Sequence, residues 1–419
     1  MGDVAEQLAH DAVEWLLAQA REDGTSLSWR PCADKEVDPT LYNGCAGIVL
    51  ALIEAHHHFG DDRYGDAALR GAHAVAAAVD DEDLWSSLYP GRAGMAVALH
   101  AAGTRFGDET CLRAARHALD RVRAAFDGER WNDFFELLGG NAGIALGALL
   151  AGDLDLAELA VEPYLRTADA TPGGVNWAVR PSPPRSHHMA HGTLGIVLAL
   201  ATVARATGRQ DLLDLALAGA ADVVARNEEG PDGFLVPHSD PQHRPELVER
   251  YSYGWCNGPA GDTQTFRLLA AITGDAQWDT LIDQCWHTLT HSGLPARLRP
   301  GFWDNNGVCC GTAGVLMTAC DRFVEHPTEG RAAHDFATLL VDDLAERATV
   351  DATGARWSNH EHRKTPGDLP PRTGWAMGNA GILRELIRYT RVTRGLPGYA
   401  VQWPGHPAVR RSGSRSLVA

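Results

Sequence analysis

The 419-residue sequence predicts an all-α fold, an (α/α)7 toroid with an inner and an outer ring of helices. Three observations carry this. A Gly-x-x-Gly step that opens a helix-like run recurs seven times: "GCAGIVLAL" at 44, "GRAGMAVAL" at 91, "GNAGIALGALL" at 140, "GTLGIVLAL" at 192, "GPAGDTQTF" at 258, "GTAGVLMTA" at 311 and "GNAGILREL" at 378. Successive first glycines are 47, 49, 52, 66, 53 and 67 residues apart, room for two helices in each interval. The chain also opens on a helix with no inner partner before it, and its last Gly-x-x-Gly opens a helix with no outer partner after it. The two ends complete each other and close a ring, where the alternative is an open solenoid.

The elements follow in order. The first stretch, "MGDVAEQLAHDAVEWLLAQA", is acidic where a secretion signal is basic, and its apolar residues recur at helical spacing. It reads as an amphipathic outer helix over roughly 3–21. Glu6 stands where N-myristoylation favours Ser or Thr. Each glycine step then starts an inner helix, small and apolar, and an amphipathic outer helix follows. After Gly91 the inner segment is roughly 92–105. The outer one is "DETCLRAARHALDRVRAAF", whose Leu112, Ala115, Leu119 and Val122 share one face. Glycine suits inner-helix N-termini, where backbones crowd and turns are tight. Residues 1–398 are expected to form a single toroid. Residues 399–419, with Pro, Ser and Arg and no period, read as a loose C-terminal tail.

Composition limits the partners. The net charge is 37 − 54 = −17, and Lys35 and Lys364 are the only lysines. Nucleic acid and anionic membrane are thereby disfavoured; a basic peptide or a small molecule is compatible. No apolar run approaches the roughly 18 residues of a membrane span. A cytoplasmic protein is expected, with its eight cysteines present as thiols. "HHH" at 56–58 falls at the far end of the first inner helix and reads as a solvated turn. His287 and His291, four apart on an outer helix, lack a third ligand.

The repeats give a register in which positions can be compared. The two residues before each first glycine are Tyr42-Asn43, Tyr89-Pro90, Leu138-Gly139, Ala190-His191, Cys256-Asn257, Cys309-Cys310 and Ala376-Met377. Thiol or imidazole side chains fill these slots only in repeats four, five and six, neighbours around a ring. A lone cysteine is as a rule a small buried hydrophobe. Three at equivalent places, with a histidine beside them, favour zinc, for which three protein ligands and an open fourth position mark a catalytic site. Helix N-termini also favour the thiolate form.

The motifs "YGWCNGPAG" (253–261), "VCCGTAG" (308–314), "MAHGTLG" (189–195) and "GWAMGNAG" (374–381) resemble those of the lanthionine synthetase C-like family, the cyclases of lanthipeptide biosynthesis. The resemblance runs from about residue 40 to 390. It implies the toroid, and one zinc ion (Zn2+) held by Cys256, Cys309 and Cys310, with Cys310 where many members carry histidine. In this the chain resembles the three-cysteine branch of the family. "RWSNHEH" (356–362) and "GWAMGNAG" are closer to cyclase domains of fused synthetases, so the chain resembles a free-standing relative of such a domain.

The implied reaction is addition of a peptide cysteine thiol to dehydroalanine or dehydrobutyrine, giving a thioether ring. The implied partner is a dehydrated precursor peptide, prepared by separate kinase or lyase enzymes. His191 is the expected proton donor to the enolate. Glu136, four residues before Gly140, stands where related cyclases place a catalytic Asp, and is the expected proton acceptor or His-orienting group. Substrate contacts are expected from Arg250 (enolate oxygen), Asn257, His360 and His362. The alternatives are a zinc protein that adds glutathione or another thiol to dehydroamino acids, and a non-catalytic zinc-containing partner in a modification complex.

Overall fold

The computed structural model describes residues 2–326 and 330–409. In chain order the helices are α1 (Gly2–Ala18), α2 (Cys45–Phe59), α3 (Asp62–Ala77), α4 (Arg92–Phe106), α5 (Glu109–Ala124), α6 (Asn141–Leu150) and α7 (Leu154–Thr167). They continue as α8 (Thr193–Thr207), α9 (Gln210–Val224), α10 (Pro259–Thr273), α11 (Ala276–His291), α12 (Thr312–Glu325), α13 (Gly330–Arg347) and α14 (Asn379–Thr393). The even-numbered helices are buried over most of their length; the odd-numbered ones bury one face. Adjacent even-numbered helices touch all the way round, from α2 against α4 to α12 against α14 and back from α14 to α2. The first helix, α1, packs on the last, α14. The all-α toroid is therefore closed, and the open solenoid is ruled out. Among the described residues no helix is long and apolar enough to cross a membrane.

Each first glycine is the N-cap of an inner helix, in extended rather than left-handed conformation. What demands glycine is space. A Cβ on the second glycine of a step would strike the carbonyl oxygen six residues earlier: 2.0 Å for Gly143 against Leu137, 1.8 Å for Gly261 against Trp255. No side chain fits there at all.

These tight turns carry a second repeat, in the backbone. Tyr42 N–H donates to Tyr89 O, Tyr89 N–H to Leu138 O, Leu138 N–H to Ala190 O and Ala190 N–H to Cys256 O. Cys256 N–H then donates to Cys309 O, Cys309 N–H to Ala376 O, and Ala376 N–H back to Tyr42 O, all at 2.9–3.2 Å. Seven peptide groups, one from each repeat, form a closed belt at the inner-helix N-termini. Each satisfies a donor and an acceptor that burial would otherwise leave orphaned.

Short antiparallel pairs decorate this frame: β1 (Arg21–Asp23) with β2 (Ser26–Ser28), β3 (Asp169–Thr171) with β4 (Gly174–Asn176), β5 (Arg185–Ser186) with β6 (Ser239–Asp240), and β7 (Thr349–Asp351) with β8 (Gly354–Arg356). Three are hairpins followed by a buried tryptophan. Trp29, Trp177 and Trp357 each donate Nε1–H to a carbonyl of the outer helix just left, at Leu16, Tyr164 and Leu344. The hairpins turn the chain from outer helix to inner layer.

Two expectations are corrected. Residues 399–409 are not a loose tail but a strap laid into the end of the bore away from the belt. Trp403 is 3% exposed and stacks on Trp375 at 4.5 Å. Tyr89 donates its hydroxyl to Pro404 O, and Ala400 and Val401 N–H donate to the buried Glu54 carboxylate. His406 reaches Asp321 at 3.0 Å. The segment lacks helical period because it packs as an irregular plug with a turn at 404–406. The rest of the expected tail, 410–419, lies outside the described residues. His56–His58 form the last turn of α2 rather than a free turn: His57 is exposed but accepts from Arg391 of α14, and His58 lies 3.3 Å from Glu6 of α1. They pin the end of α2 to the two helices that close the ring.

Asp321 anchors the far end of the bore. Burial pushes its carboxyl up, but Arg267, Arg388 and His406 outweigh this and hold it well below the usual carboxylate range.

Candidate functional site

The belt places side chains as well as backbone. Cys256 and Cys309 are themselves belt residues, in neighbouring repeats, and Cys310 follows directly before the N-cap of α12. Cys256 Sγ is 3.1 Å from Cys310 Sγ, and Cys310 Sγ is 3.4 Å from Cys309 Sγ. No two of the three sulfurs are more than 4.8 Å apart, and all three residues are free cysteines.

The fit to a metal can be tested on these distances. A tetrahedral zinc thiolate site, with Zn–S near 2.3 Å, needs sulfurs roughly 3.8 Å apart. The three sulfurs meet this by opening less than about 1 Å. The donor set suits zinc, and the N-terminus of α12 points its positive end at the cluster. Cys309 is the natural anion of the group: S–H donation from Cys256 and Cys310, with a further hydrogen bond from Tyr42, outweighs burial and holds its thiol well below the ordinary range.

His191 sits in the adjoining repeat, before the N-cap of α8, with 24% of its side chain exposed. Its Nδ1 is buried without a hydrogen-bond partner and lies 3.9 Å from Glu136 Oε2. The Glu136 carboxylate is itself buried and fixed, accepting from the N–H groups of Leu138 and Gly139. The structure thus brings these two expected residues together. Asn257 donates Nδ2–H to Cys256 Sγ at 3.4 Å, and its Oδ1 is buried and unpaired.

Arg250, His360 and His362 fall elsewhere, on the wall of one surface cleft of about 350 Å3 that also includes Glu246, Glu249 and Asp304. Arg250 is half exposed and bound to Glu228 and Tyr251. Among the described residues no hydrogen bond or ion pair joins it to the cysteines. His360 pairs with Asp368 at 2.9 Å, and His362 lies 3.6 Å from Asp304. The cleft abuts the loop at Asp304–Asn305 that leads into Cys309. His287 and His291 stack ring on ring at 3.9 Å and acquire no third ligand among the described residues.

Two participants escaped the sequence reading. Tyr42 donates its hydroxyl to Cys309 Sγ at 3.1 Å. Its slot in the register was visible, but a tyrosine there does not announce a sulfur partner five repeats distant along the chain. His188, in the same "SHHMAH" run as His191, is fully buried with Nδ1 2.7 Å from Asp262 and Nε2 3.2 Å from Val236 O. It locks the turn that carries His191 against α10. A second ligand-type group, His73, Asp108 and Cys111, lies in the outer layer. Asp108 caps α5 through Cys111 N–H and pairs with His73, which accounts for its geometry.

A family model described as lanthionine synthetase C-like protein matches residues 35–258 and 242–330. Among solved structures the chain is similar to nisin cyclase, with 16% identity, a TM-score of 0.64, and coverage of 94% of this chain and 95% of that one. It is also similar to an α-1,6-mannanase from Salegentibacter sp. (10% identity, TM-score 0.51, 94% and 99% covered) and to an unsaturated glucuronyl hydrolase specific for heparin (11%, 0.51, 94% and 99%). At these identities the likeness is one of fold. A search of curated proteins found no match.

Proposed function

The chain belongs to the lanthionine synthetase C-like family, and on that premise we propose that it is a zinc-dependent cyclase joining peptide cysteine thiols to dehydroalanine or dehydrobutyrine as (methyl)lanthionine thioethers. One observation carries the reading. Three cysteine sulfurs converge at the inner-helix N-termini, beside a histidine backed by a fixed carboxylate. The toroid alone does not decide, since carbohydrate-active enzymes share it; a cluster of three thiols is no glycosidase site, which needs paired carboxylates.

Cys256, Cys309 and Cys310 would hold the ion. When bound, zinc supplies the Lewis acidity that lets a substrate thiol shed its proton near neutral pH. The chain's own residues supply the rest. Glu136, held by two backbone amides, faces His191 Nδ1 and orients the ring. This leaves Nε2 to exchange a proton with substrate. As the sulfur bonds to the β-carbon, the α-carbon gains electron density and takes a proton from His191. The proton lost by the thiol restores the histidine, so the overall reaction is an isomerisation. The cleft lined by Arg250, His360 and His362 offers polar and charged groups to the rest of the precursor peptide.

The test is direct. A dehydrated, cysteine-containing peptide incubated with the protein is expected to lose alkylatable thiols at unchanged mass, and a chelator is expected to stop this. Ring formation indifferent to zinc removal overturns the reading.

A further inference from the structure

We infer that Tyr42 is a positioning residue of the metal centre, donating its hydroxyl proton to Cys309 Sγ and so fixing and partly neutralising one of the three sulfurs. The inference rests on the reading that the cysteines hold zinc.

The geometry is specific. Tyr42 belongs to the first repeat and Cys309 to the sixth, with Ala376 of the seventh between them in the belt. A methyl side chain at 376 leaves the phenol room to cross. Tyr42 is held at both backbone ends, its N–H by Tyr89 O and its carbonyl by Ala376 N–H. Its ring meets Tyr89 edge-on at 6.2 Å. The hydroxyl therefore arrives at Cys309 from a fixed frame, at 3.1 Å, and has one proton to give.

Charge gives the contact its purpose. Three thiolates place one more negative charge here than two thiolates and an imidazole would. Buried anions are stable only where hydrogen-bond donors meet them. The donors are unevenly shared: Tyr42 serves Cys309 and Asn257 serves Cys256, while among the described residues Cys310 Sγ has only the other two sulfurs as hydrogen-bonding neighbours. Such partners beyond the ligands themselves orient the ligands and tune the ion they hold. Two sulfurs are thus clamped by neutral donors and one is not.

Tyr42→Phe removes the hydroxyl and keeps the ring. The test uses the full chain loaded with zinc, and in parallel with cobalt(II), whose sulfur-to-metal charge-transfer band reports on sulfur electrons. Zinc release to a chelator is expected to quicken about tenfold, in line with loss of an outer-shell partner. The cobalt band is expected to move to lower energy, because a sulfur without its donor holds its lone pairs less tightly. Asn257→Ala is expected to move the band in the same direction. Unchanged release with an unchanged band in Tyr42→Phe overturns the inference alone. A Tyr42→Phe chain that no longer folds makes the hydroxyl a prop of the fold and overturns it equally. A wild-type chain that takes up neither metal overturns the cyclase reading with it.

Discussion

Glu136 Oε2 lies 3.9 Å from His191 Nδ1, beyond hydrogen-bonding reach but well within Coulombic reach, and the carboxylate cannot drift because two backbone N–H groups hold it. Glu136→Gln keeps an oxygen acceptor for one of those amides and removes the charge facing the imidazole. Cyclisation is expected to slow by about tenfold or more, since proton transfer by a positioned side chain contributes on the order of a hundredfold or above. Bound zinc, measured by elemental analysis, is expected to be unchanged. Zinc loss in this variant would make Glu136 a support of the metal centre instead.

Replacing Cys309 with Ser is expected to empty the metal centre without unfolding the chain. The belt bonds at this position run through the peptide N–H and carbonyl and not through the thiol. Zinc content should fall from one equivalent to near zero while the far-ultraviolet circular dichroism keeps its helical signature. Collapse of the helical signal would mean that the cysteines hold the fold as well as the ion.

Two glycine substitutions separate crowding from backbone conformation. Gly261→Ala forces a Cβ to 1.8 Å from Trp255 O and is expected to cost about 3 kcal/mol or more. Gly60→Ala, at φ +69° with open space around it, is expected to cost only about 1 kcal/mol, the price of a left-handed turn. Denaturant unfolding of the pair reads the difference; equal losses contradict the crowding account.

Acid sensitivity has an identifiable source in the strap. Burial, only partly opposed by Asp321, holds the His406 imidazole at about 4, down from 6.5. Between those values the unfolded chain binds a proton that the folded one refuses. The stability from neutral His406 is therefore complete above about pH 6.5 and is lost as pH falls towards 4. His406→Gln keeps a donor for Asp321 but does not titrate. Its stability is expected to fall less steeply than wild type through this window, by up to about 1.4 kcal/mol per pH unit. Parallel curves would place His406 outside the acid response.

The glycine register made the architecture legible before any coordinates. Its seven steps mark the seven inner-helix N-caps to the residue. It also placed Cys256, Cys309 and Cys310 at equivalent positions, where the sulfurs do converge. What it missed depends on contacts with no local signature. Tyr42 meets Cys309 across the belt position of Ala376, and Trp403 stacks on Trp375, which in turn stacks on Tyr89. Residues 399–409 read as part of a loose tail because 399–419 carries Pro, Ser and Arg with no period, while the partners of the strap, Glu54, Asp321 and Glu385, are buried in helices distant in sequence. Arg250 is suggested by its spacing from Cys256, and His360 and His362 by a loop ahead of the last glycine step; neither signal reports that the guanidinium is already engaged by Glu228.

The strap has a consequence for traffic. With Trp403, Trp375, Trp255 and Tyr89 in mutual contact beneath the belt and residues 402–407 filling the bore behind them, the toroid is a cup and not a tunnel. A long peptide cannot be threaded through it. On the cyclase reading, each thiol and its acceptor are lowered together from the open rim, joined, and lifted out the same way before the next pair descends. The order in which rings close would then be set by how the peptide doubles back on itself above the cup, and not by its passage from one end of the protein to the other.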